Sequence, residues 1–435
     1  MTSPAVRTDN LARWQLLNVV LLIAGYSGYY LCRSNLSVAM PLLIGELGRR
    51  GVNAGTAQVM MGSLASLGVL AYAAGKFPSG SLADLFGGRR NFLIGMGGSV
   101  LFTLLFAASG TLPMFTIAWI GNRLVQSLGW AGAVKIASRW FTFRSYGTVM
   151  GLISLSYLFG DAVARQFMGM LISKGLSWRQ VFLITALVLA ALLAVCTMLL
   201  RESPAEVGGT EPLVNPANLF GKSQEFDRPR GGRELLRPFL VSGVFWLACL
   251  LSLGTTILRE TFSLWTPTYF TQAIGMKAGE AASTSAWFPF LGGVSVILCG
   301  SLSDRLGRGG RAALMLVGLF LASLVLMVLG SGITDGSRVW PVVLVAGVAF
   351  LTLGPYSFLA GAIALDFGGK HGSGTASGLI DGLGYLGGVL AGDSMARITV
   401  NYGWRRAFLT LAAVALLSSV AAASFLREER KNRRD

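Results

Sequence analysis

Gly80-Ser81-Leu82-Ala83-Asp84-Leu85-Phe86-Gly87, with Arg89 and Arg90 behind it, returns 220 positions later as Gly300-Ser301-Leu302-Ser303-Asp304-Arg305-Leu306-Gly307, with Arg308 and Arg311 behind it. Each copy closes a long apolar run and opens a basic loop. Other pairs keep the same order around it. Gly160-Asp161-x-x-Ala164-Arg165 matches Gly392-Asp393-x-x-Ala396-Arg397, and Trp178-Arg179 matches Trp404-Arg405. Arg33, followed eight positions later by Pro41, matches Arg259 and Pro267, both offset by 226. Motifs repeating in one order are the mark of a parallel duplication, as in carriers whose two halves are related by an axis along the membrane normal.

The chain has 435 residues, 53% apolar and 13% charged, against about 25% charged in soluble domains. Apolar runs of about 20 residues, each able to cross a hydrocarbon core of roughly 30 Å, recur from Trp14 to Leu426. The pattern predicts an all-α integral membrane protein of twelve transmembrane helices in two pseudo-symmetric six-helix bundles. The helices are expected at about 14–44, 57–83, 91–110, 113–138, 146–173, 178–200, 238–272, 281–303, 312–332, 340–366, 373–398 and 404–426. Residues 1–200 form the first bundle and 238–435 the second with a short basic tail. Residues 201–237, with Pro204, Pro212, Pro216 and Pro229, read as a cytoplasmic linker. The polar start from Met1 to Arg13 and the length of the first apolar run do not fit a cleavable signal peptide.

The net charge of +16 invites a nucleic-acid reading, but its distribution removes that reading. With the N-terminus inside, cytoplasmic segments hold 21 of the 36 Lys and Arg, outer loops 8, and membrane helices 7. This is the positive-inside bias, and it places both termini in the cytoplasm. Cys32, Cys196, Cys249 and Cys299 lie in apolar runs without metal spacing and read as small packing residues. The single histidine, His371, falls in an expected loop. No cofactor, metal site or enzyme chemistry is indicated.

A charge inside a membrane span costs about 2.5–3.5 kcal/mol on insertion scales and marks a functional site by default. Arg33 and Arg259 are such charges, one in each half. Guanidinium forks give bidentate, charge-assisted bonds to phosphate oxygens, so the pair points to an anion carrier. Tyr26, Tyr29, Tyr30 and Arg33 share one helical face. Lys76 and Lys135 add positive charge. Asp161 with Arg165, and Asp393 with Arg397, stand at i and i+4, as intrahelical ion pairs or as pairs that exchange partners between states. Glu260 adjoins Arg259, but neighbouring helical residues are not expected to face each other.

The paired Gly-x-Leu-x-Asp-x-x-Gly loops resemble the signature of the major facilitator superfamily. Asp84 and Asp304 would then latch one access state by accepting from a helix N-terminus. Gly25-Tyr26-Ser27-Gly28-Tyr29-Tyr30-Leu31-Cys32-Arg33, Lys76-Phe77, Gly129-Trp130 with Lys135 and Trp140-Phe141, Leu258-Arg259 with Trp265-Thr266-Pro267, and Glu202-Ser203-Pro204 resemble the organophosphate:phosphate antiporters. That likeness implies phosphate binding by Arg33 and Arg259 and exchange of a sugar phosphate or glycerol phosphate for inorganic phosphate. It also implies a multi-pass protein of the bacterial inner membrane, working as a monomer. The fifth helix reads Tyr157-Leu158-Phe159-Gly160-Asp161, without the histidine of the known phosphate carriers. Arg123-x-x-Gln126-Ser127 resembles a motif of proton-coupled carriers. With Glu260, Asp161 and Asp366 it keeps open a proton-coupled symporter of an organic anion. A non-transporting membrane sensor on the same fold is the third reading.

Overall fold

The computed structural model describes residues 8–431 except 142, 211, 213–236, 238 and 307–308. The expected linker lies largely outside the described residues, as do the side chains of Asp84, Asp304, Asp366 and His371. Among the described residues the secondary structure is helical, with no strand. In the first half the helices are α1 Thr8–Leu31, α2 Asn35–Arg49, α3 Ala54–Phe86, α4 Gly88–Ala108, α5 Leu112–Trp140, α6 Phe143–Ser173 and α7 Trp178–Leu199. In the second they are α8 Gly243–Gln272, α9 Ala278–Thr284, α10 Trp287–Leu306, α11 Gly310–Ser331, α12 Trp340–Phe358 and α13 Ala364–Lys431.

Among the described residues, nine stretches are long and apolar enough to cross a membrane, and they account for ten of the twelve expected spans. The stretch Ala376–Glu429 holds two. The remaining two spans are α5 and α6, 29 and 31 residues long. They fall short in apolarity because they carry Arg123, Gln126, Lys135, Asp161 and Arg165.

The eighth expected span is split at Ser285–Ala286, and three further boundaries differ from expectation. The first span is broken: at Cys32–Ser34 the ladder tightens, with Cys32 N–H donating to the Tyr29 carbonyl and Arg33 N–H to that of Tyr30. The repeat-equivalent α8 runs unbroken past Arg259. Second, α12 ends in a π-helical turn at Leu359–Ile363, four residues after Pro355, whose ring cannot close its own helical bond. Third, no loop separates the last three spans. The backbone is helical through His371 and through the expected break at 399–403. As a straight rod α13 would set Phe367 and Phe425 roughly 87 Å apart, yet their ring centroids are 6.2 Å apart. Gly403, at φ 78°, turns the chain between two arms, because that region is open to glycine at no steric cost.

The chain divides into two compact units. The first comprises Met1–Asn35, Ala71–Ala164 and Gly175–Ser223; the second comprises Leu36–Leu70, Arg165–Lys174 and Gln224–Asp435. In the first, Leu22, Tyr29, Phe92, Met96, Ile136, Trp140 and Leu189 form the buried core. Trp140 Nε1 donates to the Arg201 carbonyl at 3.0 Å. Gly87, at φ 92°, precedes α4 without a side chain to cap it. The Glu202 carboxylate caps it instead, accepting from Gly88 N–H at 3.0 Å and Arg89 N–H at 2.6 Å, with Arg139 at 3.4 Å. The capping acid lies 114 residues along the chain from Gly88.

In the second unit, segments from the first half of the chain pack on the second half. Backbones approach closely where side chains would not fit. A Cβ at Gly62 would lie 2.7 Å from the Gly392 carbonyl oxygen, and one at Gly169 would lie 2.8 Å from that of Gly279. Such small-residue contacts are how helices gain packing energy in lipid, where no hydrophobic drive separates them from the solvent.

Candidate functional site

The first unit carries a cluster of positive charge around one tyrosine. The Arg33 guanidinium carbon lies 4.5 Å from the Tyr72 ring centroid, that of Arg123 lies 4.7 Å away, and Lys76 Nζ lies 5.3 Å away. Two atoms at 4.7 and 5.3 Å from one point can be no farther apart than the sum of those distances, so all three cations fall within about 10 Å of one another. Cations are attracted to the negative face of an aromatic ring, and Tyr72 gives all three a shared anchor. Arg33 is fixed further by donating from Nε to Gln126 Oε1 at 3.0 Å and to the Tyr30 hydroxyl at 3.1 Å. This orientation leaves a guanidinium held rigidly in a partly open position, as anion binding requires.

The four residues on the expected tyrosine face divide by role. Tyr30 turns to Arg33. Tyr29 is 1% exposed and its hydroxyl donates to the Phe92 carbonyl at 2.6 Å, so it fastens α1 to α4. Tyr26 is buried against Tyr29 and Trp130. Lys135 sits at the α4–α5 crossing, its Cβ against Gly88.

The second unit holds Arg259. Its guanidinium carbon lies 4.7 Å from the Tyr356 ring centroid and 5.7 Å from that of Tyr385, and its Nη2 is 3.5 Å from the Tyr385 hydroxyl. Contrary to expectation, Arg259 and Glu260 form an ion pair. Their Cβ atoms diverge on the helix, but the two long side chains, each largely buried, curl round to meet. In a low-dielectric interior a buried charge without a counterion is costly, which outweighs the rotamer entropy of the curl. Tyr72, Tyr356 and Tyr385 escape a sequence reading because each is one aromatic residue in an apolar run. Only the fold brings a cation to its face.

Asp393 and Arg397 form the expected i, i+4 pair at 2.8 Å, and Ser63 Oγ donates to Asp393 at 2.5 Å. Asp161 is buried and accepts from Ser34 Oγ. Arg165, 2% exposed, donates to the Ser263 carbonyl at 2.7 Å, to Ser285 Oγ at 3.2 Å and to Ser37 Oγ at 3.5 Å. Among the described residues no group of three His, Cys, Asp or Glu is placed to hold a metal.

Membrane-length helices and rigid basic clusters inside them define a multi-pass carrier of anions. The family model described as Major Facilitator Superfamily matches residues 22–392, and the chain belongs to that family. A glycerol-3-phosphate transporter of Bacillus subtilis (strain 168) is 26% identical, over 94% of this chain and 91% of its own length. A probable hexose phosphate transport protein of Chlamydia pneumoniae is 25% identical, over 93% and 90%. The membrane sensor protein UhpC of Escherichia coli (strain K12) is 23% identical, over 96% and 93%. Among solved structures, a bacterial homolog of the human lysosomal transporter Spinster, inward-facing and unoccupied, superposes with a TM-score of 0.74. It is 13% identical, covering 96% of this chain and 98% of its own; that likeness concerns the fold.

Proposed function

We propose that this protein is an organophosphate carrier of the inner membrane, exchanging a sugar phosphate or glycerol phosphate for inorganic phosphate by alternating access. The observation that carries the reading is the set of three cations, Arg33, Lys76 and Arg123, gathered on Tyr72. Arg33 supplies the bidentate fork for the phosphoryl oxygens, and Lys76 and Arg123 supply the field that offsets its second charge. In the second unit, Arg259, held between Tyr356, Tyr385 and Glu260, carries the phosphate-binding role that the likeness to organophosphate carriers gives it. Glu260 is the acceptor that suits hydroxyl groups of a substrate tail. The relatives that carry glycerol and hexose phosphates support this substrate class. Asp393–Arg397 and Arg165 are gating residues in this reading.

Phosphate counterflow into liposomes loaded with unlabelled phosphate tests it, with sugar phosphates, glycerol phosphate and carboxylates as competitors. Rapid uptake that requires internal phosphate and is blocked by one phosphate ester is the expected result. Uptake of a carboxylate that runs only under an imposed pH gradient would replace the exchanger with the proton-coupled symporter.

A further inference from the structure

One cavity stands apart from these clusters. It has a volume of about 480 Å³ and lies wholly within the second unit, where the turn between α11 and α12 meets the bend of α13. Its wall is aromatic: the Tyr269 ring lies 5.3 Å from Trp404 and 4.8 Å from Phe408, centroid to centroid. Its rim is charged: Asp335 pairs with Arg405, and Arg338 also lines it, making no ion pair among the described residues. Beside the rim Ile333, Val339, Trp340 and Tyr402 are exposed. The positive-inside distribution puts these loops on the outer face. Exposed tryptophan and tyrosine at that height mark the headgroup layer.

The volume suits a small organic group, and the lining specifies its chemistry. One cation beyond those paired calls for one phosphate ester. An aromatic wall calls for an organic ammonium, which binds ring faces. The exposed apolar skirt calls for hydrocarbon continuing outward along the bilayer. A glycerol headgroup would leave the aromatic wall unused. A free phosphate would leave the skirt unused. We propose that this cavity binds the headgroup of an outer-leaflet phospholipid of the ethanolamine type. Its phosphate lies on Arg338, its ammonium lies against Trp404 beside Asp335, and its acyl chains run over Val339 and Trp340. The site is independent of the transport reading.

The test is thermal stabilisation of the purified, delipidated carrier in detergent. The probes are short-chain phosphatidylethanolamine, phosphatidylglycerol with the same chains, and O-phosphoethanolamine without chains. The ethanolamine lipid should stabilise saturably and the glycerol lipid about tenfold more weakly. Arg338→Ala should weaken the ethanolamine lipid about tenfold while Arg338→Lys keeps most of it, the size expected for one hydrogen bond to a charged group. Arg338 is exposed, so its replacement leaves the fold intact. Equal stabilisation by both lipids, or unchanged binding by Arg338→Ala, overturns the site. Binding of O-phosphoethanolamine as tight as that of the lipid assigns the cavity to a soluble ester and overturns the lipid.

Discussion

At the residue scale, chemistry turns on how a cation is held rather than on its charge alone. Arg33 is fixed at Nε by Gln126, at Nη1 by the Tyr30 hydroxyl and on its face by Tyr72, so the plane of its fork is set before a ligand arrives. Arg33→Lys should cut phosphate counterflow by about tenfold or more, because a point charge cannot reproduce that fork; rates near those of the unaltered protein would remove Arg33 from the site. Tyr72→Phe keeps the ring and should retain most affinity. Tyr72→Leu removes the ring shared by three cations and should weaken substrate binding by about 1.5–3 kcal/mol, at about 0.5–1 kcal/mol per cation. Competition by unlabelled substrate measures both. Equal losses in Phe and Leu would show that the ring face is not what matters.

At the element scale, the sequence and the fold part company where tertiary contacts govern. The duplicated octapeptide, the paired arginines and the span count were readable because they depend on apolar length and on spacing. The break at Cys32–Ser34 was not, since no glycine or proline stands there and the repeat-equivalent α8 is continuous. The merging of the last three spans into helix was hidden by Gly and Ser between 368 and 378, residues that usually signal a loop. Arg259 with Glu260 failed a rule about surface helices because burial rewards any counterion within reach. Glu202 went unassigned as a cap because its helix is remote in sequence. Glu202→Ala leaves the first two N–H groups of α4 without their acceptor. It should lower stability by about 1–2 kcal/mol, seen as a lower melting temperature in detergent. Glu202→Gln should recover part of it.

At the scale of the whole molecule, the compact units do not follow chain order, and the segments that cross over are those around Gly62 and Gly169. Transport by alternating access needs such packing to form and release. Gly392→Leu or Gly169→Leu inserts a side chain where a carbonyl now lies under 3 Å from a Cβ. Each should slow exchange and expose a cysteine placed at Ser66 to a membrane-impermeant thiol reagent. Unchanged exchange and labelling would show that the packing persists throughout the cycle.

The bonds in that same packing are made mostly by hydroxyls, amides and carbonyls. Ser37 donates to Ser263 and Leu264, Ser66 to Val389, Gln58 to Thr399 and Gln272 to Gln58. Buried neutral partners of this kind carry no ionic atmosphere and titrate at no ordinary pH, whereas exposed ion pairs weaken as counterions gather. The exposed ion pair in this packing, Asp393–Arg397, is of a kind that contributes little in water, so the packing responds weakly to salt. A cell moved from dilute water to brine would keep the same balance between shut and open, and counterflow measured from low to high external potassium chloride should vary by less than about twofold.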